Sequence, residues 1–96
     1  MSKKEQPNYY AIIPATVRYD TNLKSAEKLL YGEITALCNK EGYCFASNEY
    51  FANLYGVSKR SVTGWIAALA AKHYIFVSPT RYIMIRNNKR GTKKNP

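Results

Sequence analysis

The sequence predicts a mainly α-helical domain with one small β hairpin near its C-terminal side. Three observations predict it. Apolar residues recur at helical spacing in the stretches 25–38, 48–55 and 59–72. Two β-prone runs, Tyr74-Ile75-Phe76-Val77 and Tyr82-Ile83-Met84-Ile85, flank the turn Ser78-Pro79-Thr80-Arg81. Charge is lopsided as well. The last acidic residue is Glu49, so residues 1–49 hold six basic and six acidic side chains, and residues 50–96 hold nine basic and none. The net charge of +9 therefore falls on the second half.

A chain of 96 residues with 46% apolar content supports one domain with one modest core. The charge favours an anionic partner. Nucleic acid fits better than a membrane, because the basic residues do not line one face of an amphipathic helix. The longest apolar run, Trp65–Ala71, falls far short of the roughly 18 residues of a membrane span. The N-terminus MSKKEQPNYY has a signal peptide's charge without its apolar stretch, so a cytoplasmic chain is expected. Cys38 and Cys44 form no C-x-x-C pair, and one histidine cannot complete a zinc site. Both thiols are expected reduced and partly buried. No metal and no cofactor are expected.

The domain is placed at 9–86, between a flexible tail at 1–8 and a basic tail or linker at 87–96. Tyr9–Ile13 reads as a first strand or an extended arm, and Pro14–Tyr19 as one helical turn with Pro at its start. Ser25 suits the N-cap of the first long helix, with Glu27 favoured by the dipole in its first turn. Leu29, Leu30, Glu33, Ile34, Leu37 and Cys38 form the stripe of that helix. Gly32 inside it costs about 1 kcal/mol against Ala, and a close helix crossing would account for it. Asn39-Lys40-Glu41-Gly42 ends the helix. Tyr43–Ala46 is an aromatic connector or short strand.

Ser47 caps a helix over 48–55, whose Phe51, Ala52 and either Leu54 or Tyr55 face inward. Gly56 supplies the left-handed residue that ends it, and Val57 plugs the turn. Ser58 caps a helix over 59–72. Val62, Trp65, Ile66, Leu69 and His73 share one face of it; Arg60, Thr63, Gly64, Ala67 and Ala71 lie opposite. The hairpin then follows as a wing.

Phe51, Ala52, Tyr55, Gly56, Val57, Val62 and Trp65 fill the inward and turn positions of a helix-turn-helix, which aims the N-terminal end of the last helix at a major groove. The fold class is thus a winged helix-turn-helix, a three-helix core plus wing.

Segment 25–75 resembles the winged helix-turn-helix domains at the N-terminus of phage and plasmid replication initiators and replisome organisers. The pieces that carry the resemblance are KLLYGEI, the EGYCFAS connector, and LYGVSKRSVTGWI leading to HYI. With the preceding YYAIIPATV and the hairpin it covers most of the chain. It implies a sequence-specific binder of double-stranded DNA, joined to oligomerisation or helicase-loading regions outside this chain. A second copy or replication proteins would be met through such regions. The Lys/Asn/Pro-rich end fits a natural chain that continues beyond Pro96. His73 departs from the pattern, since related sequences often carry Gly there.

Arg60 is the first choice for base readout, as a bidentate contact to guanine O6/N7. Thr63 is placed at a thymine methyl or a base edge. Lys59 and Ser61 flank the helix start and suit phosphate, with Ser58 beside them as the cap. Ser47 and Asn48 bring backbone N–H groups to a phosphate, or simply cap their helix. Gly64 would permit close approach to DNA. Arg81 is expected at the wing tip, entering a minor groove, with Arg86, Lys89 and Arg90, then Lys93 and Lys94, running along phosphates. Tyr82 is the tyrosine to test for stacking on bases. Trp65 reads as core, and His73 as a residue beside the helix dipole. The alanines at 67, 68, 70 and 71 favour helix, or seat a partner.

No phosphate-binding glycine loop, serine elbow or histidine pair is present, so no enzyme is expected. The leading role is origin recognition in replication initiation of a phage or mobile element. A small transcription regulator at a promoter is the alternative, and a protein-interaction module the second alternative.

Overall fold

The computed structural model describes residues 10–86, with the backbone alone at 39–41. Its elements are α1 (Ala15–Arg18), α2 (Ser25–Glu41), α3 (Asn48–Tyr55), α4 (Lys59–Ala71), β1 (Ile75–Val77) and β2 (Ile83–Ile85). The expected tails at 1–8 and 87–96 lie outside the described residues.

Residues 10–13 form an extended arm rather than a strand. The Ile12 N–H donates to Thr35 Oγ1 at 2.8 Å, which fastens the arm to α2. Gly32 serves this contact and not a helix crossing. A Cβ there would lie 3.0 Å from Ile13 Cγ1 and 3.3 Å from Ala11 Cβ. Pro14 precedes α1, and its carbonyl accepts from Val17 and Arg18.

The cap of α2 is Lys24, one residue before the expected Ser25. A lysine side chain has no acceptor, so the stabilisation runs the other way: Glu27 Oε1 accepts from the Lys24 N–H at 2.8 Å. That role buries Glu27. The helix runs to Glu41 and ends on Gly42, whose φ of 85° is left-handed. Its inward face also departs from the expected stripe. Leu30, Ile34 and Cys38 are buried, but Leu29 is 58% exposed and Tyr31 is buried instead.

The aromatic connector reaches the wing. Cys44 forms an antiparallel bridge with Ile83, with N–H to O distances of 2.8 and 2.9 Å. Both cysteines are free and buried. Burial pushes the Cys38 thiol up to about 11, and the neighbouring Cys44 thiol adds to the shift. Such thiols are poor nucleophiles at neutral pH.

The α3–turn–α4 unit follows the expected course. Ser47 Oγ accepts from the Tyr50 N–H at 3.0 Å. Gly56 closes α3 at φ 69°. Phe51 and Ala52 are buried, Tyr55 is half-buried, and Leu54 is left exposed. On α4 the buried residues are Val62, Ile66 and Leu69, with Trp65 half-buried against them. Lys72 caps the helix, and His73 takes a left-handed φ of 64° without being glycine. His73 is therefore exposed beyond the helix end rather than part of its apolar face.

β1 and β2 pair antiparallel, Ile75 with Ile85 and Val77 with Ile83. Ile75 and Ile83 are buried and close the core of α2, α3 and α4. The architecture is a winged helix-turn-helix: mainly α, with one two-stranded wing.

Candidate nucleic-acid interface

The first turn of α4 sets the interface. Ser58 Oγ accepts from the Ser61 N–H at 3.1 Å, leaving the earlier N–H groups pointing out of the helix end. No acidic residue occupies this turn, whereas α2 has Glu27 and α3 has Glu49 in theirs. Lys59 and Arg60 stand there instead, both exposed. Two cations at the positive end of a helix dipole are unfavourable by a few tenths to about 1 kcal/mol each. An arriving anion reverses that sign.

A packed underside holds this tip outward. Val62 and Leu69 share one buried cluster with Phe51 and Ala52. The Trp65 and Tyr55 rings meet edge to face with centroids 6.4 Å apart. Tyr55 OH donates to Glu33 Oε1 at 3.5 Å. Burial and that carboxylate push the Tyr55 hydroxyl up to about 12. Arg60, Thr63, Gly64, Ala67 and Ala71 all lie on the exposed face. A Cβ on Gly64 would meet nothing within 4 Å.

A chain of hydrogen bonds links the wing to this helix. Arg81 Nη2 donates to Asn48 Oδ1. Asn48 Nδ2 donates to Thr63 Oγ1 at 3.0 Å, and Thr63 Oγ1 donates to the Lys59 carbonyl at 2.9 Å. The structure thus brings Asn48, Lys59, Thr63 and Arg81 together. Arg81 stands in the hairpin turn, at the expected wing tip, with its side chain held by the protein. It is half-buried and folded back onto α3, and its Nη1 is buried without a hydrogen-bond partner among the described residues. The hairpin turn explains the direction. The Arg81 N–H donates to the Ser78 carbonyl, and Arg81 then takes φ 64°, the left-handed position that commonly ends such a turn.

Arg86 is exposed at the opposite end of the hairpin, where its N–H donates to the Tyr74 carbonyl. Lys89 and Arg90 lie outside the described residues, as do Lys93 and Lys94. Tyr82 is half-buried and packs at 5.6 Å from Tyr43 and 5.9 Å from Phe45. Phe45 is 66% exposed. Sequence reasoning missed the Asn48 side chain as a link, since its partners lie 15 and 33 residues away. No sequence signal marked Phe45 as surface.

Among the described residues, no group of three or more His, Cys, Asp or Glu side chains converges to hold a metal. No described helix is long and apolar enough to cross a membrane. A family model described as a helix-turn-helix domain matches residues 21–75. The chain belongs to the helix-turn-helix domain family. No curated protein and no solved structure matches it. The family match spans α2, α3 and α4 and stops as β1 begins. A helix-turn-helix domain implies binding to double-stranded DNA, and such domains are typically non-enzymatic.

Proposed function

We propose that this helix-turn-helix domain binds double-stranded DNA sequence-specifically and recognises a replication origin of a phage or mobile element. The observation that carries DNA recognition is the acid-free, doubly cationic first turn of α4, held outward by a buried underside. In this reading α4 enters a major groove and Arg60 pairs with guanine. Lys59, Ser58 and Ser61 sit against phosphate, as do the backbone N–H groups of Ser47 and Asn48 at the α3 start. Gly64 lets the helix approach closely. Arg81 reaches a minor groove only by giving up its bond to Asn48.

Residues 9–86 act as the binding unit. Arg86, Lys89 and Arg90 add affinity without sequence preference. The replication role is supported by the resemblance of segment 25–75 to initiator and replisome-organiser domains.

Selection of preferred duplexes from a random pool at physiological salt tests the reading. A defined site is the expected result, and equal recovery of all sequences would refute it. A site repeated within a replication gene supports origin recognition; a site overlapping a promoter overturns that role in favour of transcription regulation. Removal of residues 87–96 should flatten the slope of log K against log salt by about 0.9 for each phosphate that is no longer neutralised, and leave the preferred site unchanged.

A further inference from the structure

Resting on that duplex-binding reading, the hydrogen-bond chain through Thr63 narrows what α4 can read. A threonine hydroxyl has one proton and two lone pairs. Thr63 gives its proton to the Lys59 carbonyl at 2.9 Å and fills one lone pair from Asn48 Nδ2 at 3.0 Å. Asn48 is held in turn, because its Oδ1 accepts from Arg81. The hydroxyl cannot donate to guanine O6, adenine N7 or thymine O4 without breaking this chain. What remains to meet a base is the γ-methyl of this exposed side chain, beside one lone pair that can accept but not donate.

The rest of the outward face agrees. Gly64 has open space around it, and Ala67 and Ala71 are exposed and small. Beyond Arg60, and Lys59 at the helix start, the described residues of this face carry no side chain with an unused hydrogen-bond donor. Small apolar groups in a major groove pack against the C5-methyl of thymine. Cytosine methylated at C5 presents the same group at the same place.

We infer that α4 reads one polar base edge through Arg60 and, beside it, the C5-methyl group of a pyrimidine through Thr63, so that thymine and 5-methylcytosine are preferred over their unmethylated counterparts. Asn48 is a positioning residue: it holds the hydroxyl away from the DNA and never touches a base.

The test uses the full chain and its selected duplex. Each thymine of the site is replaced singly by deoxyuridine, which removes only the methyl, and by cytosine or 5-methylcytosine opposite guanine. At one position deoxyuridine should weaken binding about fourfold, the worth of one methyl group returned to water. 5-Methylcytosine should bind better than cytosine there by a similar factor. Thr63→Val should keep this sensitivity, and Thr63→Ser should lose it. A preferred site with no thymine overturns the inference. So does a site in which no deoxyuridine substitution matters, or sensitivity that survives in Thr63→Ser and vanishes in Thr63→Val. The deoxyuridine series needs no protein variant, so misfolding cannot mimic its result. Sequence-specific binding without methyl sensitivity sinks this inference alone, whereas binding without any preferred site sinks the duplex-recognition reading as well.

Discussion

The two ends of α4 are built in opposite ways. At the carboxyl end the polar groups are tied down. Lys72 Nζ meets Asp20 Oδ2 at 3.1 Å, and Tyr74 OH donates to the same oxygen at 2.7 Å. Tyr74 OH also reaches the Thr16 carbonyl at 3.2 Å, which fastens α1 to the start of the wing. At the amino end Lys59 and Arg60 face solvent, and the turn that carries them has no carboxylate. The carboxylates with structural partners stand elsewhere: Asp20 under the far end of α4, Glu27 at the start of α2, Glu33 beside Tyr55. The difference teaches that, along α4, a carboxylate marks the fixed joint at the carboxyl end, while the exposed amino end has none in its first turn.

The largest expected effect comes from breaking that contrast at its cationic end. Arg60→Glu should abolish duplex binding, because it sets a negative charge against phosphate in the first turn. Arg60→Ala should cost about 1–3 kcal/mol of binding and relax preference at one base pair. Neither variant should lose stability: Arg60→Ala should gain a few tenths to about 1 kcal/mol by removing a cation from the helix start, and Arg60→Glu somewhat more. Asp20→Asn should do the reverse, lowering stability with affinity retained. Titration of a selected duplex beside thermal melts checks both arms. A large loss of affinity in Asp20→Asn at equal folded fraction would erase the distinction between the two ends.

The amino end of α4 was more legible in the sequence than the carboxyl end, for a physical reason. Ser58 as cap, Gly56 as the left-handed stop and the apolar face of Val62, Ile66 and Leu69 are local features, set by a few neighbouring residues. The exposed placement of Arg60, Thr63 and Gly64 follows from helical periodicity alone. What binds the rest spans long separations. Tyr74 and Asp20 are 54 residues apart, and Arg81 and Asn48 are 33 apart. Neither pairing leaves a trace in spacing. Gly32 shows the same limit: its periodic position marked a close approach, but only tertiary structure shows that Ala11 and Ile13 make it. Lys24 escapes a reading by cap preference because it has no acceptor to offer, and Glu27 supplies the bond from three residues on.

A smaller effect comes from two backbone positions on either side of the contrast. Gly64 lies mid-helix with no neighbour within 4 Å of an added Cβ, so Gly64→Ala should raise stability by about 1 kcal/mol. His73 lies past the carboxyl end at φ 64°, a conformation that glycine adopts without a Cβ penalty. His73→Gly should also stabilise, by about 1 kcal/mol, because a left-handed φ costs an L-residue roughly 1–2 kcal/mol. Each change should lift the melting temperature by roughly 4–8 °C in a domain of this size. Only the amino-end position should touch DNA. Gly64→Leu should weaken duplex binding by bulk in the groove, and His73→Gly should leave it unaltered. Unchanged affinity in Gly64→Leu would remove that position from the interface.

The smallest expected effect concerns pH, and it belongs wholly to the carboxyl end. The Tyr74 hydroxyl first, then the Asn22 N–H and Lys72, hold the Asp20 carboxyl down at about 2, against an ordinary 3.8. The unfolded chain therefore takes up this proton first as pH falls. The stabilisation is complete above about 3.8 and is lost as pH drops toward 2. Tyr74 moves the other way, pushed up to about 12 by burial and by Asp20. The unfolded chain then loses its proton first, so stability falls as pH rises from 10.0 toward 12. Tyr74→Phe should let Asp20 return toward its ordinary value and shrink the acid limb of a urea stability profile. It should also remove one contribution to the alkaline limb, while Tyr55, likewise near 12, keeps the other. Duplex affinity at neutral pH should not change. An acid limb of undiminished size in Tyr74→Phe would show that the joint between α1 and the base of the wing does not depend on the tyrosine hydroxyl.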